Sequence, residues 1–277
     1  MSPIRAVVFD WAGTMIDFGC LAPVNALRAV FAARGVAISD ADARRDMGLA
    51  KHDHLRALLD LAPVKAAWTA ANGAAPTEAD GAALMEALEP TLRAEAAGRA
   101  LLIPGAASAV AALDARGIRI GSCTGYTRAM MADILPAAAA QGYAPQVVVC
   151  AGETPAGRPS PLMMWKALVE LGAWPACACV KVDDAAVGVA EGRWAGAWTV
   201  GLSASGNGVG LGLDAFLALP DDIRRGRVGA AAAALRAAGA DYVIETVADL
   251  APVIADIEAR LRAGERPPPL AAQTANG

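Results

Sequence analysis

Short, uninterrupted apolar runs alternate with amphipathic segments along most of the chain. The first run, Ala6-Val7-Val8-Phe9, ends at Asp10. Five more follow at about 118–121, 147–150, 179–182, 198–200 and 242–244. Runs of this length are typical of strands that are buried on both faces of a parallel sheet.

Helical patterns separate these runs, at about 105–116, 127–140, 161–171, 186–195, 221–239 and 247–263. Regular alternation of strand and helix is typical of βαβ units, whose helices cover both faces of a parallel sheet. The pattern therefore predicts an α/β fold, with a Rossmann-like parallel sheet as its core.

One long segment breaks the alternation, because residues 20–98 contain no strand pattern. Its amphipathic stretches predict helices at about 22–34, 40–47, 51–60, 64–72 and 78–97. Ser39 and Thr77 each begin an S/T-x-x-D capping signature. We expect an all-helical cap domain at 20–98, joined by hinges near 17–21 and 98–104 to a catalytic core formed by 1–19 and 99–264.

Two segments are expected to lie outside regular elements. The glycine-rich stretch 203–212 predicts a surface loop. Residues 265–277 contain three consecutive prolines and predict a disordered tail.

Composition narrows the class of protein. Apolar residues make up 56% of the 277 residues, which excludes a disordered chain. The net charge is −4 and no basic run exceeds three residues, so we expect no nucleic-acid partner. No uncharged apolar stretch reaches the roughly 18 residues of a membrane span. Five cysteines without a C-x-x-C motif predict free thiols, and we expect a cytoplasmic protein.

Polar residues follow three of the predicted strands. Asp10 follows the first, Thr124 the second, and Asp183-Asp184 a later one. Ligands of open α/β sheets bind at such strand ends, and gathered carboxylates suit Mg²⁺. Asp10 alone could equally cap a turn, whereas a carboxylate in this crevice can act as a nucleophile, a metal ligand or both. Arg158 offers a fixed cation for a phosphate group.

Five strings in chain order resemble one family. They are Phe9-Asp10-Trp11-Ala12-Gly13-Thr14, Gly19-Cys20-Leu21-Ala22-Pro23, Met47-Gly48-Leu49-Ala50-Lys51-His52-Asp53-His54, Thr124-Gly125-Tyr126-Thr127-Arg128 and Pro155-Ala156-Gly157-Arg158-Pro159. They resemble the phosphonoacetaldehyde hydrolases (phosphonatases) of the haloacid dehalogenase superfamily. The resemblance implies hydrolysis of the carbon–phosphorus bond of phosphonoacetaldehyde, which yields acetaldehyde and phosphate.

The resemblance also implies roles for individual residues. Asp10 would be the nucleophile and Lys51 the Schiff-base amine, with Mg²⁺ held by Asp10, the Ala12 carbonyl and Asp184. The remaining pocket residues would be Thr124, Arg158, His54, Tyr126, Met47 and Cys20. A small-molecule phosphonate would be the substrate, and the protein would be a homodimer joined through its cap domains.

Ala12 and Lys51 fit the same chemistry. Phosphatases of the superfamily carry an acid at the position of Ala12, which protonates an alkoxide leaving group. A carbon leaving group instead needs an electron sink, and an imine on Lys51 would provide one. The amine must be neutral to attack a carbonyl, so we expect burial to lower its pKa.

One position departs from the family pattern. That pattern has Gly-Asp followed by an acid four residues after the Asp, whereas this chain has Asp183-Asp184 and then Gly188. Asp183 could compensate for the missing acid, which leaves the strength of metal binding open. Three alternatives therefore remain: a phosphatase, a dehalogenase, or a pseudoenzyme that retains the pocket. A substitution Gly188→Asp would strengthen metal binding if the crevice has room for the side chain.

Overall fold

A computed structural model describes residues 2–268. Its strands are β1 (Ala6–Phe9), β2 (Arg119–Thr124), β3 (Val147–Cys150), β4 (Cys179–Asp183), β5 (Trp198–Leu202) and β6 (Tyr242–Ile244). Its helices are α1 (Leu21–Ala32), α2 (Asp40–Arg45), α3 (Lys51–Asp60), α4 (Ala62–Asn72), α5 (Glu78–Ala97), α6 (Ala106–Asp114), α7 (Ile134–Ala139), α8 (Leu162–Leu171), α9 (Ala186–Ala195), α10 (Leu213–Leu217), α11 (Asp221–Ala237) and α12 (Leu250–Arg262).

The six strands form one parallel sheet in the order β3-β2-β1-β4-β5-β6, which confirms all six predicted strands. This is the doubly wound order of the Rossmann fold. The chain builds one half of the sheet outward from β1, then crosses over and builds the other half from β4. Every residue of β1 is buried, because neighbouring strands flank it and helices cover both faces.

Five helices, α1 to α5, lie between β1 and β2 in the chain, as the sequence predicts for residues 20–98. The most extensive packing among them joins α1 to α5, and α3 packs on both α4 and α5. Phe31 and Trp68 meet edge to face within this packing, with ring centroids 6.3 Å apart. Ser39 and Thr77 form the predicted capping boxes at the starts of α2 and α5.

The predicted helix at 127–140 is shorter in the structure, where only Ile134–Ala139 is helical and turns precede it. The Thr127 hydroxyl accepts the backbone N–H of Met130 and donates to Glu89 of α5. Such side-chain bonds compete with the helical backbone pattern, which explains the delayed start.

The prediction of a surface loop at 203–212 is wrong for its first part, residues 203–206. Ser203, Ala204 and Ser205 are at most 3% exposed, because this loop packs into the sheet end beside Asp184. In the predicted tail, Glu265 pairs with Arg260 at 2.8 Å, and residues 269–277 lie outside the described residues. Within residues 2–268, no helix combines the length and apolar character needed to cross a membrane.

Candidate active site

The site lies where the sheet changes direction. Asp10 directly follows β1, which pairs with β2 on one side and β4 on the other. Thr124 is the last residue of β2. Asp183 is the last residue of β4, and Asp184 follows it directly. Parallel pairing therefore brings the predicted acids and hydroxyl to one crevice at the carboxyl ends of the strands, the place where open α/β sheets bind ligands.

The inserted helices cover this crevice and narrow it to a small cavity. Nine of the ten predicted site residues line it: Asp10, Ala12, Cys20, Met47, Lys51, Thr124, Tyr126, Arg158 and Asp184. Gly125 permits the close contact between the two parts of the chain, because a Cβ there would lie 2.5 Å from the carbonyl oxygen of Leu49. The free volume of the cavity is about 20 Å³, which is space for about one water molecule.

Arg158 binds the predicted nucleophile directly. Its Nη1 donates to Asp10 Oδ1 at 2.7 Å, and its Nη2 donates to the carbonyl oxygen of Cys123 at 2.6 Å. Its Nε donates to Glu191 Oε2 at 3.0 Å, and Glu191 also pairs with Lys181 at 2.9 Å. These buried contacts fix the guanidinium plane and the rotamer of Asp10.

Three carboxylates crowd together beside Arg158. Asp10, Asp183 and Asp184 each offer an oxygen atom within 4.8 Å of the others. Burial, reinforced by the charge of Asp183, raises the pKa of Asp10 to about 6. Burial and the charges of Asp10 and Asp183 raise the pKa of Asp184 to about 8. A divalent cation at this point would relieve the repulsion, and hard oxygen ligands of this kind fit such an ion.

Asp184 is oriented by three neighbouring groups. The backbone N–H of Asn207 donates to its Oδ2 at 2.7 Å, and the Thr14 hydroxyl donates to its Oδ1 at 3.2 Å. Cys20 Sγ lies 3.4 Å from Oδ2 and 3.2 Å from the Ala12 carbonyl oxygen. The carboxylate and the carbonyl that were predicted to hold the metal therefore converge on the same thiol.

Lys51 faces the acids from the inserted helices. It is the first residue of α3 and is 2% exposed. Burial lowers the pKa of its amine to about 8, although the nearby charges of Cys20 and Asp10 oppose that shift. The positive end of the α3 dipole also favours the neutral amine. Lys51 Nζ lies 5.3 Å from the centroid of the Tyr126 ring, which forms one wall of the cavity.

His54 lies one helical turn after Lys51 and does not line the cavity. It is fully buried, and neither ring nitrogen reaches good hydrogen-bond geometry within the described residues, although the backbone of Ala43 lies near enough to oppose part of the pKa shift. Burial and the charge of Lys51 lower the pKa of this imidazole to about 3, so it is neutral. Met47 precedes α3 in a turn that contains Gly48, which has a φ of 98°, yet its side chain reaches the cavity.

Comparison with known proteins agrees with this geometry. A family profile of haloacid dehalogenase-like hydrolases matches residues 4–196. A phosphonoacetaldehyde hydrolase of Paraburkholderia xenovorans is 49% identical to this chain, covering 96% of this chain and 100% of the relative. That of Bordetella pertussis is 45% identical over 96% of this chain and 97% of its own. The chain belongs to the phosphonoacetaldehyde hydrolase family. It is therefore a haloacid dehalogenase-like hydrolase.

A solved structure extends the family match to the fold. The phosphonoacetaldehyde hydrolase-like protein of Oleispira antarctica superposes with a TM-score of 0.94 at 43% identity, and the match covers 96% of each chain. The helical insertion between β1 and β2 is therefore part of a fold that is found within the family.

Three further residues of this site could not be identified from the sequence. Glu191 bridges Arg158 and Lys181, Asn207 binds Asp184, and Arg44 binds Asn207. Only the position of Lys181 inside a strand raised the question of a buried acidic partner. Nothing in the local pattern around Arg44 or Asn207 distinguishes either residue from ordinary surface polar residues.

Proposed function

We propose that this enzyme hydrolyses the carbon–phosphorus bond of phosphonoacetaldehyde to acetaldehyde and phosphate. The observation that carries the proposal is that the Lys51 amine and the Asp10 carboxylate line one small cavity in which position 12 is Ala12. The relatives named phosphonoacetaldehyde hydrolase support the choice of substrate. An acid at position 12 would protonate an oxygen leaving group, as a phosphatase requires. The amine of Lys51 can instead form an imine with an aldehyde substrate.

In the proposed first step, neutral Lys51 attacks the aldehyde carbon and water leaves, which forms an imine. The lowered pKa of Lys51 provides the neutral amine near neutral pH. Protonation of the imine nitrogen makes it an electron sink. His54 packs behind Lys51 on α3, and we propose that it positions the amine, because it does not line the cavity that would hold the substrate.

In the second step, an Asp10 oxygen attacks phosphorus and the carbon–phosphorus bond breaks. The electron pair of that bond forms the carbon–carbon double bond of an enamine on Lys51. The π pair of the carbon–nitrogen double bond moves onto the nitrogen, which becomes neutral. The hydrogen bond from Arg158 to Asp10 holds the attacking oxygen, and the guanidinium charge stabilises the transferring phosphoryl group. Thr124 lies beside this position and would orient a phosphoryl oxygen.

Two hydrolyses complete the proposed cycle. The enamine takes up a proton at its terminal carbon, and water then releases acetaldehyde and restores Lys51. A second water attacks the aspartyl phosphate and releases phosphate from Asp10. Imine formation releases one water, so the whole reaction consumes a single water.

We propose Mg²⁺ as the bound divalent cation, held by Asp10, Asp184 and the Ala12 carbonyl. When bound, it would neutralise charge on the phosphoryl group. Tyr126, Met47 and Cys20 line the same cavity and would exclude water from the imine.

The quaternary and cellular setting belongs to the same proposal. A cap domain at 20–98, a homodimer joined through it and a cytoplasmic location follow the family resemblance. The five cysteines are all free, which is typical of proteins from a reducing compartment. Light scattering at two protein concentrations would measure the oligomeric state.

Product analysis tests the proposal against its rivals. Incubation with phosphonoacetaldehyde is expected to release acetaldehyde and phosphate in equal amounts, with little phosphate from glycolaldehyde phosphate. Faster release from the phosphate ester would indicate a phosphatase, and halide release from a 2-haloacid would indicate a dehalogenase. Failure to turn over all three would indicate a pseudoenzyme.

A further inference from the structure

Arg44 of α2 connects the inserted helices to the sheet core. Its Nη1 donates to the Gly19 carbonyl at 2.8 Å and to Asn207 Oδ1 at 3.1 Å, and its Nη2 donates to the Gly210 carbonyl at 3.0 Å. A further hydrogen bond joins the same two residues, since Asn207 Nδ2 donates to the Arg44 carbonyl at 2.9 Å. These four bonds join α2, the segment that leads into α1, and the loop after β5.

The same loop holds the candidate metal site. The backbone N–H of Asn207 donates to Asp184, as described above. Ser205 donates to the carbonyl of Gly13 at 2.7 Å and accepts the N–H of Gly19 at the same distance. One residue, Asn207, therefore binds a helix of the insertion with its side chain and the Asp184 carboxylate with its backbone.

The residues around Asn207 are tightly packed against Asp184 and Arg44. A Cβ at Gly206 would overlap Asp184, and one at Gly210 would lie 2.7 Å from Arg44 Cζ. The cavity has free space for about one water molecule, so the inserted helices must move outward to admit a phosphonate. An outward movement of α2 would break the bonds of Arg44 to its carbonyl and amide partners, and closure would restore them.

We propose that Arg44 and Asn207 form a latch that couples closure over Lys51 to the placement of Asp184. Both are positioning residues, and the inference rests on the proposed roles of Lys51 and the metal. In the open state, the loop loses the Arg44 bonds that hold Asn207 in place, and Asp184 loses its fixed N–H donor. In the closed state, Asp184 is fixed and Lys51 is buried at the same time.

The test compares wild-type protein, Arg44→Ala and Asn207→Ala with the matched control Arg45→Ala, which removes an exposed arginine from the same helix. Calorimetric titration of metal-free protein with Mg²⁺ alone is the first readout. The two latch variants are expected to bind Mg²⁺ about 10-fold more weakly, the size of effect seen when groups behind metal ligands are lost. Arg45→Ala is expected to bind like wild type.

The second readout is the pH midpoint at which borohydride traps phosphonoacetaldehyde on Lys51. In the latch variants, better solvation of Lys51 should move this midpoint upward from about 8. Arg44→Lys, which keeps a cation, should show smaller changes in Mg²⁺ affinity and in the trapping midpoint than Arg44→Ala. The double variant Arg44→Ala/Asn207→Ala should lose little more Mg²⁺ affinity than either single variant.

Several results would overturn the latch. Unchanged Mg²⁺ affinity and an unchanged trapping midpoint would do so, and a lower melting temperature alone would show a purely structural role. If wild-type protein itself fails to trap the aldehyde at Lys51, the proposed function fails, and the Mg²⁺ titration still decides whether the latch exists.

Discussion

The Asp183 carboxylate occupies the space that any side chain at Gly188 would need. A Cβ at Gly188 would overlap the Cγ and both oxygens of Asp183. Asp183 Oδ1 accepts the N–H of Ala185 at 3.0 Å, which holds the carboxylate in that place. The gap that the sequence implies at Gly188 is therefore filled, and the condition for adding an acid there, free room in the crevice, is not met.

Exchange of these two residues tests whether Asp183 supplies the missing acid. Gly188→Asp should weaken Mg²⁺ binding through the clash, and Asp183→Gly should weaken it about 10-fold through loss of the carboxylate. The double variant Asp183→Gly/Gly188→Asp should recover most of the affinity, because one acid again fits one space. Titration calorimetry measures the Mg²⁺ affinity of all three variants.

Gly226→Asp is the control for the added charge, since Gly226 lies on α11 with no atom within 4 Å of its would-be Cβ. A double variant that binds Mg²⁺ as weakly as the two single variants would show that Asp183 is a bystander.

The raised pKa of Asp184 predicts how pH changes the stability of the metal-free enzyme. An acid whose folded-state pKa lies above its unfolded value stabilises the fold at low pH and loses that effect as pH rises. For Asp184 this stabilisation is lost between about pH 4 and about pH 8. Asp10 contributes to the loss in the lower part of that range, up to about pH 6. Metal-free protein should therefore melt at a lower temperature at pH 8 than at pH 5.

Saturating Mg²⁺ should raise the melting temperature more at pH 8 than at pH 5, because protons compete for the same carboxylates. Asp184→Asn, melted in parallel, should lose most of this difference. An equal gain at both pH values in wild-type protein would contradict the assignment of Asp184 as a ligand.

Much of this site could be predicted because it follows from strand order. Asp10 and Asp184 come directly after buried strands and Thr124 ends another, and parallel pairing must bring such ends to one edge of the sheet. Lys51 was identified through the motif around it. Its burial then follows from the close contact of Gly125 with the turn that precedes α3.

The latch and the Glu191 bridge could not be predicted in the same way. Arg44 and Asn207 are 163 positions apart in the chain, and only tertiary packing joins them. The loop at 203–212 lacks large apolar residues over most of its length, so its pattern indicated exposure. Its first part, Ser203 to Gly206, is buried, and a Cβ at Gly206 would overlap Asp184, so the close approach requires a glycine there.

Asp10→Asn separates the two proposed chemical steps. The amide cannot act as the nucleophile, so turnover should fall by about four orders of magnitude or more. The aldehyde should still form an imine with Lys51, because that step needs no attack on phosphorus. Phosphate release and borohydride trapping are measured on the same samples. A fully active Asn variant would rule out an aspartyl phosphate.

The pH dependence of imine formation follows from the lowered pKa of Lys51. Only the neutral amine attacks the aldehyde, so the trapping rate should rise about tenfold per pH unit below pH 8 and level off above it. An exposed lysine would still be mostly protonated at that point. A rate that continues to rise to pH 10 would contradict burial of the amine.

Borohydride trapping with phosphonoacetaldehyde, followed by peptide mapping, tests the central claim most directly. The account predicts one reduced adduct, located on Lys51, with Lys51→Arg abolishing both the adduct and turnover. The matched variant Lys65→Arg, which changes an exposed lysine, should retain both. An adduct on another lysine, or normal carbon–phosphorus cleavage by Lys51→Arg, would contradict it.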